Sequence, residues 1–269
     1  VLKQMLGRGI RPHFVTALDY HEISRRFYEG LTAEDVAGIT LVAEAKANPA
    51  ILEAFPGEIR CPADLFLDTL LGPALKRDMG ELTQGATVAH LAYYLARHLG
   101  ADPVILIGQD LGFTDGQYYP AGAAIHQVWS GELGPFRTLE MFEWERIVRN
   151  RRHLIKAADT LGRPIYTDDQ MSAYLVQFER DFLADTQKGL AVIDATEGGT
   201  AKKSARTMPL AQALAAFRAG PPIALPVSAG AAPQPSPGPR SELSPRLRRV
   251  ADRLRQVRAE VEQRPQAAV

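Results

Sequence analysis

Apolar residues recur along this chain with two periods, and the switches between them outline the elements. Val88, Leu91, Ala92, Leu95, Ala96 and Leu99 fall at helical spacing and Gly100 follows, which predicts a helix over residues 87–99. The next run, PVILIG at 103–108, is apolar throughout. A strand hydrophobic on both faces belongs in the middle of a helix-covered parallel sheet. Further strands are predicted at 13–18 (HFVTAL), 39–42 and 190–193, with a weaker one near 58–61. ANPAILEAF reads as a short helix with Asn48 as cap and Pro49 in its first turn. Met141, Trp144, Ile147, Val148 and Leu154 form an apolar stripe that predicts one long charged helix over 139–161. After a brief extended pair, Ile165-Tyr166, the pair Asp168-Asp169 caps a helix over 170–183, and a last short helix spans 209–217.

Alternating strands and helices predict an α/β fold with a Rossmann-like, doubly wound, mostly parallel sheet over residues 1–218. VLKQMLGRGI reads as the end of a helix already under way, with Gly7 and Gly9 as its stop signal. Helix–glycine–strand is the return half of a βαβ unit, so a preceding strand is expected upstream and the chain is read as an N-terminally truncated fragment. Residues 219–241 are rich in Pro, Ala, Gly and Ser, the composition of a linker. Within 242–264, Leu243, Leu247, Val250, Leu254, Val257 and Val261 alternate in steps of four and three. This is either a heptad seam for self-association or one amphipathic helix docking on other sequence.

Composition narrows the function classes. Formal net charge is zero, so no global field draws nucleic acid or anionic lipid. Cys61 is the only cysteine, which excludes an internal disulfide and a cysteine zinc site and fits a cytoplasmic location. The sequence holds no run of eighteen apolar residues, so no segment is expected to span a membrane as a helix.

Ligands of doubly wound sheets bind at the carboxyl ends of strands. The strand ends here offer Asp19; Gly108, Gln109 and Asp110; and Asp194, Thr196 and Glu197 with Gly198 and Gly199. Asp110 has the least structural excuse, since a carboxylate directly after a buried strand suits a ribose hydroxyl or a metal. Thr114-Asp115-Gly116 closes a turn beside it. Gln84, Gly85 and Thr87 open a helix whose free N–H groups would suit a phosphate, or serve only as a cap. No Walker lysine accompanies them. Lys202, Lys203 and Arg206 suit phosphate or carboxylate, or form a solvated loop. Asp168 and Asp169 are a helix cap or a Mg²⁺ site. Among the histidines, His126 follows the central strand and is the candidate general base, whereas His90 and His98 sit on a helix and read as structural.

Four segments carry a family resemblance: IRPHFVTALD (10–19), GATVAHLAYYLARHLG (85–100), GADPVILIGQDLGFTDG (100–116) and VIDATEGG (192–199). Together they resemble the superfamily that joins the motility-accessory-factor flagellin glycosyltransferases with the archaeal 6-hydroxymethylpterin diphosphokinases. The resemblance implies a sialyltransferase-like domain that binds a nucleotide-activated donor. Gly85 and Thr87 would face the donor phosphate, Gly108 and Asp110 would line the nucleotide pocket, and 196–199 would close it. The family's opening strand and Gly-Ala-Gly-Pro-Ser loop are not among these segments. Family members often carry a histidine just after the Asp-Gly turn; here Tyr118 and Tyr119 stand there. The implied activity is transfer of a nonulosonic acid from a CMP donor to a protein Ser/Thr, with a protein such as flagellin as acceptor. The alternatives are Mg²⁺- and ATP-dependent diphosphoryl transfer to a pterin, and a non-catalytic nucleotide-binding or interaction module. No cofactor is required outside the kinase reading.

Overall fold

The structure is a computed structural model that describes residues 1–76, 80–119, 122–217 and 245–263. The linker expected over 219–241 lies outside the described residues. In chain order the elements are α1 (Leu2–Leu6), β1 (Phe14–Ala17), β2 (Thr40–Ala43), α2 (Pro49–Ala54), β3 (Glu58–Arg60), α3 (Leu65–Leu71), α4 (Val88–His98) and β4 (Val104–Leu106). They continue with α5 (Ala124–Trp129), α6 (Leu139–Arg149), β5 (Leu154–Ala158), β6 (Pro164–Asp168), α7 (Asp169–Thr186), β7 (Val192–Asp194), β8 (Arg206–Thr207), α8 (Leu210–Phe217) and α9 (Pro245–Glu262).

Contacts divide the chain into two units: Val1–Arg60 with Leu82–Ala219, and Cys61–Glu81 with Gly220–Val269. The first is a Rossmann-like α/β body. It holds two three-stranded parallel sheets, ordered β1-β2-β3 and β4-β7-β8. Helix α4 packs on both β1 and β4. In the second unit α3 packs on α9, and Arg253 Nε donates to the Leu70 carbonyl at 3.2 Å. The α9 helix leaves Leu247, Leu254 and Val261 exposed, one every seven residues.

The helices start where their caps dictate. Asn48 accepts from Ala50 N at 3.0 Å with Pro49 next in line, and Thr87 accepts from His90 N. The predicted inward face of α4 is only half right: Leu91 and Leu95 are buried, but Val88, Ala92 and Leu99 are exposed, and the larger Tyr93 and Tyr94 take the inner side and pack in one core cluster with Phe178 and Phe182 of α7. Tyr93 satisfies its hydroxyl there by donating to Asp185 at 2.6 Å, and Arg97 Nε lies 3.1 Å from the same carboxylate. Burial, followed by the bond to Asp185, pushes the Tyr93 phenol far above its ordinary range.

Two expectations are overturned. The PVILIG strand is not central: β4 is an edge strand, and β7 is the middle of its sheet and wholly buried. The helix expected over 139–161 ends at Arg149, and 154–168 is an antiparallel hairpin pairing Leu154 with Asp168 and Ala158 with Pro164. The cause is local chemistry that the apolar stripe concealed. Asp159 accepts from Leu161 N (2.9 Å), Arg163 N (2.7 Å) and Arg163 Nε (2.7 Å), and Gly162 adopts φ +78°. An aspartate that ties up two turn N–H groups offers the backbone an alternative to helix.

Candidate functional site

Parallel pairing of β4 with β7 sets Leu106 beside Asp194, so both carboxyl ends open at one place. Ala195 N donates to the Leu106 carbonyl at 2.9 Å and extends the ladder by one rung. Beyond it the two loops knit together. Gln109 N donates to Thr196 Oγ1 (3.2 Å), Gly199 N to Thr114 Oγ1 (3.0 Å) and Thr200 N to the Asp110 carbonyl (2.7 Å). The hydroxyls of Thr200 and Thr167 both donate to the Leu111 carbonyl, at 2.9 and 2.7 Å. The hairpin braces the same loops: Phe113 N donates to the Tyr166 carbonyl, and Thr160 N to that of Gly199.

Only glycine fits at position 199. Its φ is +68°, and a Cβ there would stand 2.4 Å from both Cα and O of Asp110. Leu111 (φ +50°) and Glu197 (φ +61°) hold the left-handed conformation without that excuse. Strain of this kind gathers at sites the surrounding structure over-determines. Gly108, φ +66°, has open space where its side chain would be.

The loops thus bring Gly108, Gln109, Asp110, Thr114, Thr196, Gly198 and Gly199 to one place. Asp110 is half-buried, and burial pushes its carboxyl above the ordinary range; Lys202 opposes this and Asp194 adds to it. Asp194 does not face a ligand as expected. It is fully buried and paired with Lys202, whose Nζ lies 2.9 Å from Oδ2 and donates to the Thr200 carbonyl at 3.1 Å. The expectation that Lys202 serves phosphate falls with it. Lys203 sits against Glu179, and Glu197 accepts from Leu210 N at the start of α8.

Other candidates stand elsewhere. Asp19 accepts from His21 N, pairs with His21 Nδ1 and takes the Ser24 hydroxyl, which occupies its carboxylate at the end of β1. Gln84 and Gly85 lie just ahead of α4, where Gly85 N already donates to the buried carboxylate of Glu44 at 3.2 Å. A Cβ on Gly85 would meet Leu91 N at 2.7 Å, so its small size admits the chain's own helix rather than a phosphate. Thr87 is spent on the cap and on His90 Nδ1, 2.8 Å away. Asp168 caps α7 through Met171 N, and Asp169 pairs with His153. The two aspartates therefore do not fit a magnesium site, and among the described residues no group of three or more His, Cys, Asp or Glu side chains is placed to hold a metal.

His126 belongs to a cluster on α5 and α6. Its Nε2 lies 2.8 Å from Glu143 Oε1, and Glu143 Oε2 accepts the N–H groups of Tyr118 and Tyr119. The sequence reading missed Glu143, a mid-helix glutamate indistinguishable by pattern from solvated neighbours. It also missed Thr200, whose role exists only once the two loops meet.

Beside the cluster, the loop of Thr114, Asp115 and Gly116 forms one wall of a cavity of about 560 Å³. Trp144 of α6 and Arg163 and Tyr166 of the hairpin segment stand among its other lining residues.

Residues 1–116 match the family described as 6-hydroxymethylpterin diphosphokinase MptE-like. No curated protein matches the chain. Among solved structures, the fold is similar to that of the MAf glycosyltransferase from Magnetospirillum magneticum AMB-1, with a TM-score of 0.51 and 17% identity. That likeness covers 95% of this chain and 31% of the other, so the chain spans about a third of its neighbour's length.

Proposed function

We propose, for a chain that is MptE-like over residues 1–116 and has a Rossmann-like transferase fold, that the β4/β7 loops bind a nucleotide-activated sugar and support glycosyl transfer. The observation that carries this reading is the junction of Asp110, Thr114 and Thr196 with Gly198 and Gly199 at two parallel strand ends. Gly199 lets the two loops close on each other at Asp110, and Gly108 leaves room for a ligand beside the carboxylate. The donor in this proposal is a CMP-linked nonulosonic acid and the acceptor a protein Ser/Thr hydroxyl, as in a flagellin-type acceptor. The acceptor oxygen bonds to the anomeric carbon, CMP departs with the bonding pair, and a base takes the hydroxyl proton. Asp110 is the base nearest this junction, and a raised carboxyl is suited to that task. His126, held by Glu143, is the second candidate.

The family description favours one other reading, diphosphoryl transfer from ATP to a pterin alcohol. Thermal melts with CMP, CDP, UMP and Mg·ATP, with and without EDTA, separate the two. A ligand at a hundred times its Kd stabilises by about 2.7 kcal/mol. The glycosyl reading predicts stabilisation by cytidine nucleotides that survives EDTA. Stabilisation by Mg·ATP alone, lost on chelation, overturns it.

A further inference from the structure

The cavity beside the β4/β7 loops is not used by the donor reading, and its lining has a definite chemistry. Its floor is apolar, with Phe113, Ile147 and Ile165 buried beneath it. Over this floor stand two aromatic side chains that a folded chain would ordinarily cover: Trp144, 55% exposed, and Tyr166, 47% exposed. Gly116 is what lets the indole lie here, because a Cβ would stand 2.9 Å from Trp144 Cε2 and Cζ2. The rim carries two opposite charges, Asp115 and Arg163; the bond to Asp159 is the main reason the guanidinium holds its proton more tightly, and Asp115 adds to it. Asp159 fixes Arg163 through Nε. Met141, Trp144 and Val148, at i, i+3 and i+7 of α6, extend the exposed apolar face past the cavity.

We infer that this cavity is an acceptor subsite that takes an apolar side chain of a polypeptide; the inference rests on the transferase reading above. Three features select that occupant. Trp, Tyr and Arg around a pocket are the residue types that dominate polypeptide recognition. A carboxylate and a guanidinium on one rim match the donor and acceptor that every peptide unit carries. Thr114 is shared: it lines the cavity and accepts from Gly199 N, so a chain seated here lies beside the strand-end loops. A free pyranose would find few polar partners on the floor. The cavity therefore sets specificity: an acceptor hydroxyl next to a large apolar residue is used, and one flanked only by glycine is not.

Trp144 reports its own site. The chain has two tryptophans, and the other, Trp129, is buried and stacked on Phe142. In the Trp129→Phe protein, emission of Trp144 is titrated with acetyl-Gly-Thr-Phe-Gly-amide, acetyl-Gly-Thr-Gly-Gly-amide, N-acetylneuraminic acid and pterin. The expected result is a saturable blue shift with the phenylalanine peptide alone, weakened about tenfold in Tyr166→Ala and in Arg163→Ala. Equal response to both peptides, no saturation up to about 10 mM, or response only to sugar or pterin overturns the inference. Melts of the same variants with CMP keep the two claims apart. A CMP shift without a peptide response defeats the subsite alone, whereas a peptide response without a CMP shift defeats the donor reading.

Discussion

At the scale of single residues, the decisive contrast is between the carboxylates of Asp194 and Asp110, which the sequence presents alike. Asp194 is sealed with Lys202. Removing one partner of such a pair leaves an uncompensated buried charge, so Lys202→Met is expected to cost about 3–5 kcal/mol in denaturant unfolding. The double variant Lys202→Met/Asp194→Leu should recover much of that loss. Asp110 behaves oppositely. Its folded pKa lies above the ordinary value, so the folded state holds the proton more tightly and stability falls as pH rises from about 3.8 through the raised value. Asp110→Asn should therefore melt no lower than the parent at pH 7, yet lose about 10²–10³-fold in turnover if Asp110 is the base. His90 supplies a third test. It is fully buried and stacked on Phe178, and burial depresses its pKa below 6.5, with Asp181 opposing. The unfolded ring takes a proton below pH 6.5 that the folded ring refuses, so stability is complete above 6.5 and is lost as pH falls below it. A His90→Gln protein should have a flatter pH profile of melting temperature over that window.

At the scale of elements, the legible parts were those set by local signals. The Asn48-Pro49 start and the Thr87 cap stand where propensity puts them, whereas the α4 stripe is met only at Leu91 and Leu95, with Val88 and Leu99 exposed and Tyr93 and Tyr94 turned inward. The strand ends were legible too, because an apolar run followed by Gly-Gln-Asp marks an opening in any doubly wound sheet. What the apolar pattern concealed at α6 was a competing local signal. The stripe of α6 continued by coincidence into Leu154, and only the bonds around Asp159 reveal the hairpin. Asp159→Ala removes three hydrogen bonds from that turn, one of them from a charged donor. It is expected to lower the midpoint of chemical denaturation and to raise amide exchange across 154–168. Gly85 was a failure of a different kind. A glycine before a helix reads equally as room for phosphate and as room for backbone, and here Leu91 N and Glu44 take the space.

At the scale of the molecule, two parallel half-sheets share helix α4, and the loops that follow β4 and β7 are pinned by each other and by the β5–β6 hairpin. Such bracing fixes the loop backbone in advance, which lowers the ordering cost of the binding proposed above. Within the unit formed by α3 and α9, the seven-residue stripe of Leu247, Leu254 and Val261 leaves self-association through α9 a proposal for sedimentation to test. The central claim is that the β4/β7 loops are the nucleotide site, and Gly199 is where it is most exposed to test. Calorimetric titration of CMP into the native protein and into Gly199→Ala should give binding in the first and at least about tenfold weaker binding in the second, since the added Cβ displaces Asp110. Equal CMP affinity in two folded proteins would contradict the account and move the nucleotide elsewhere.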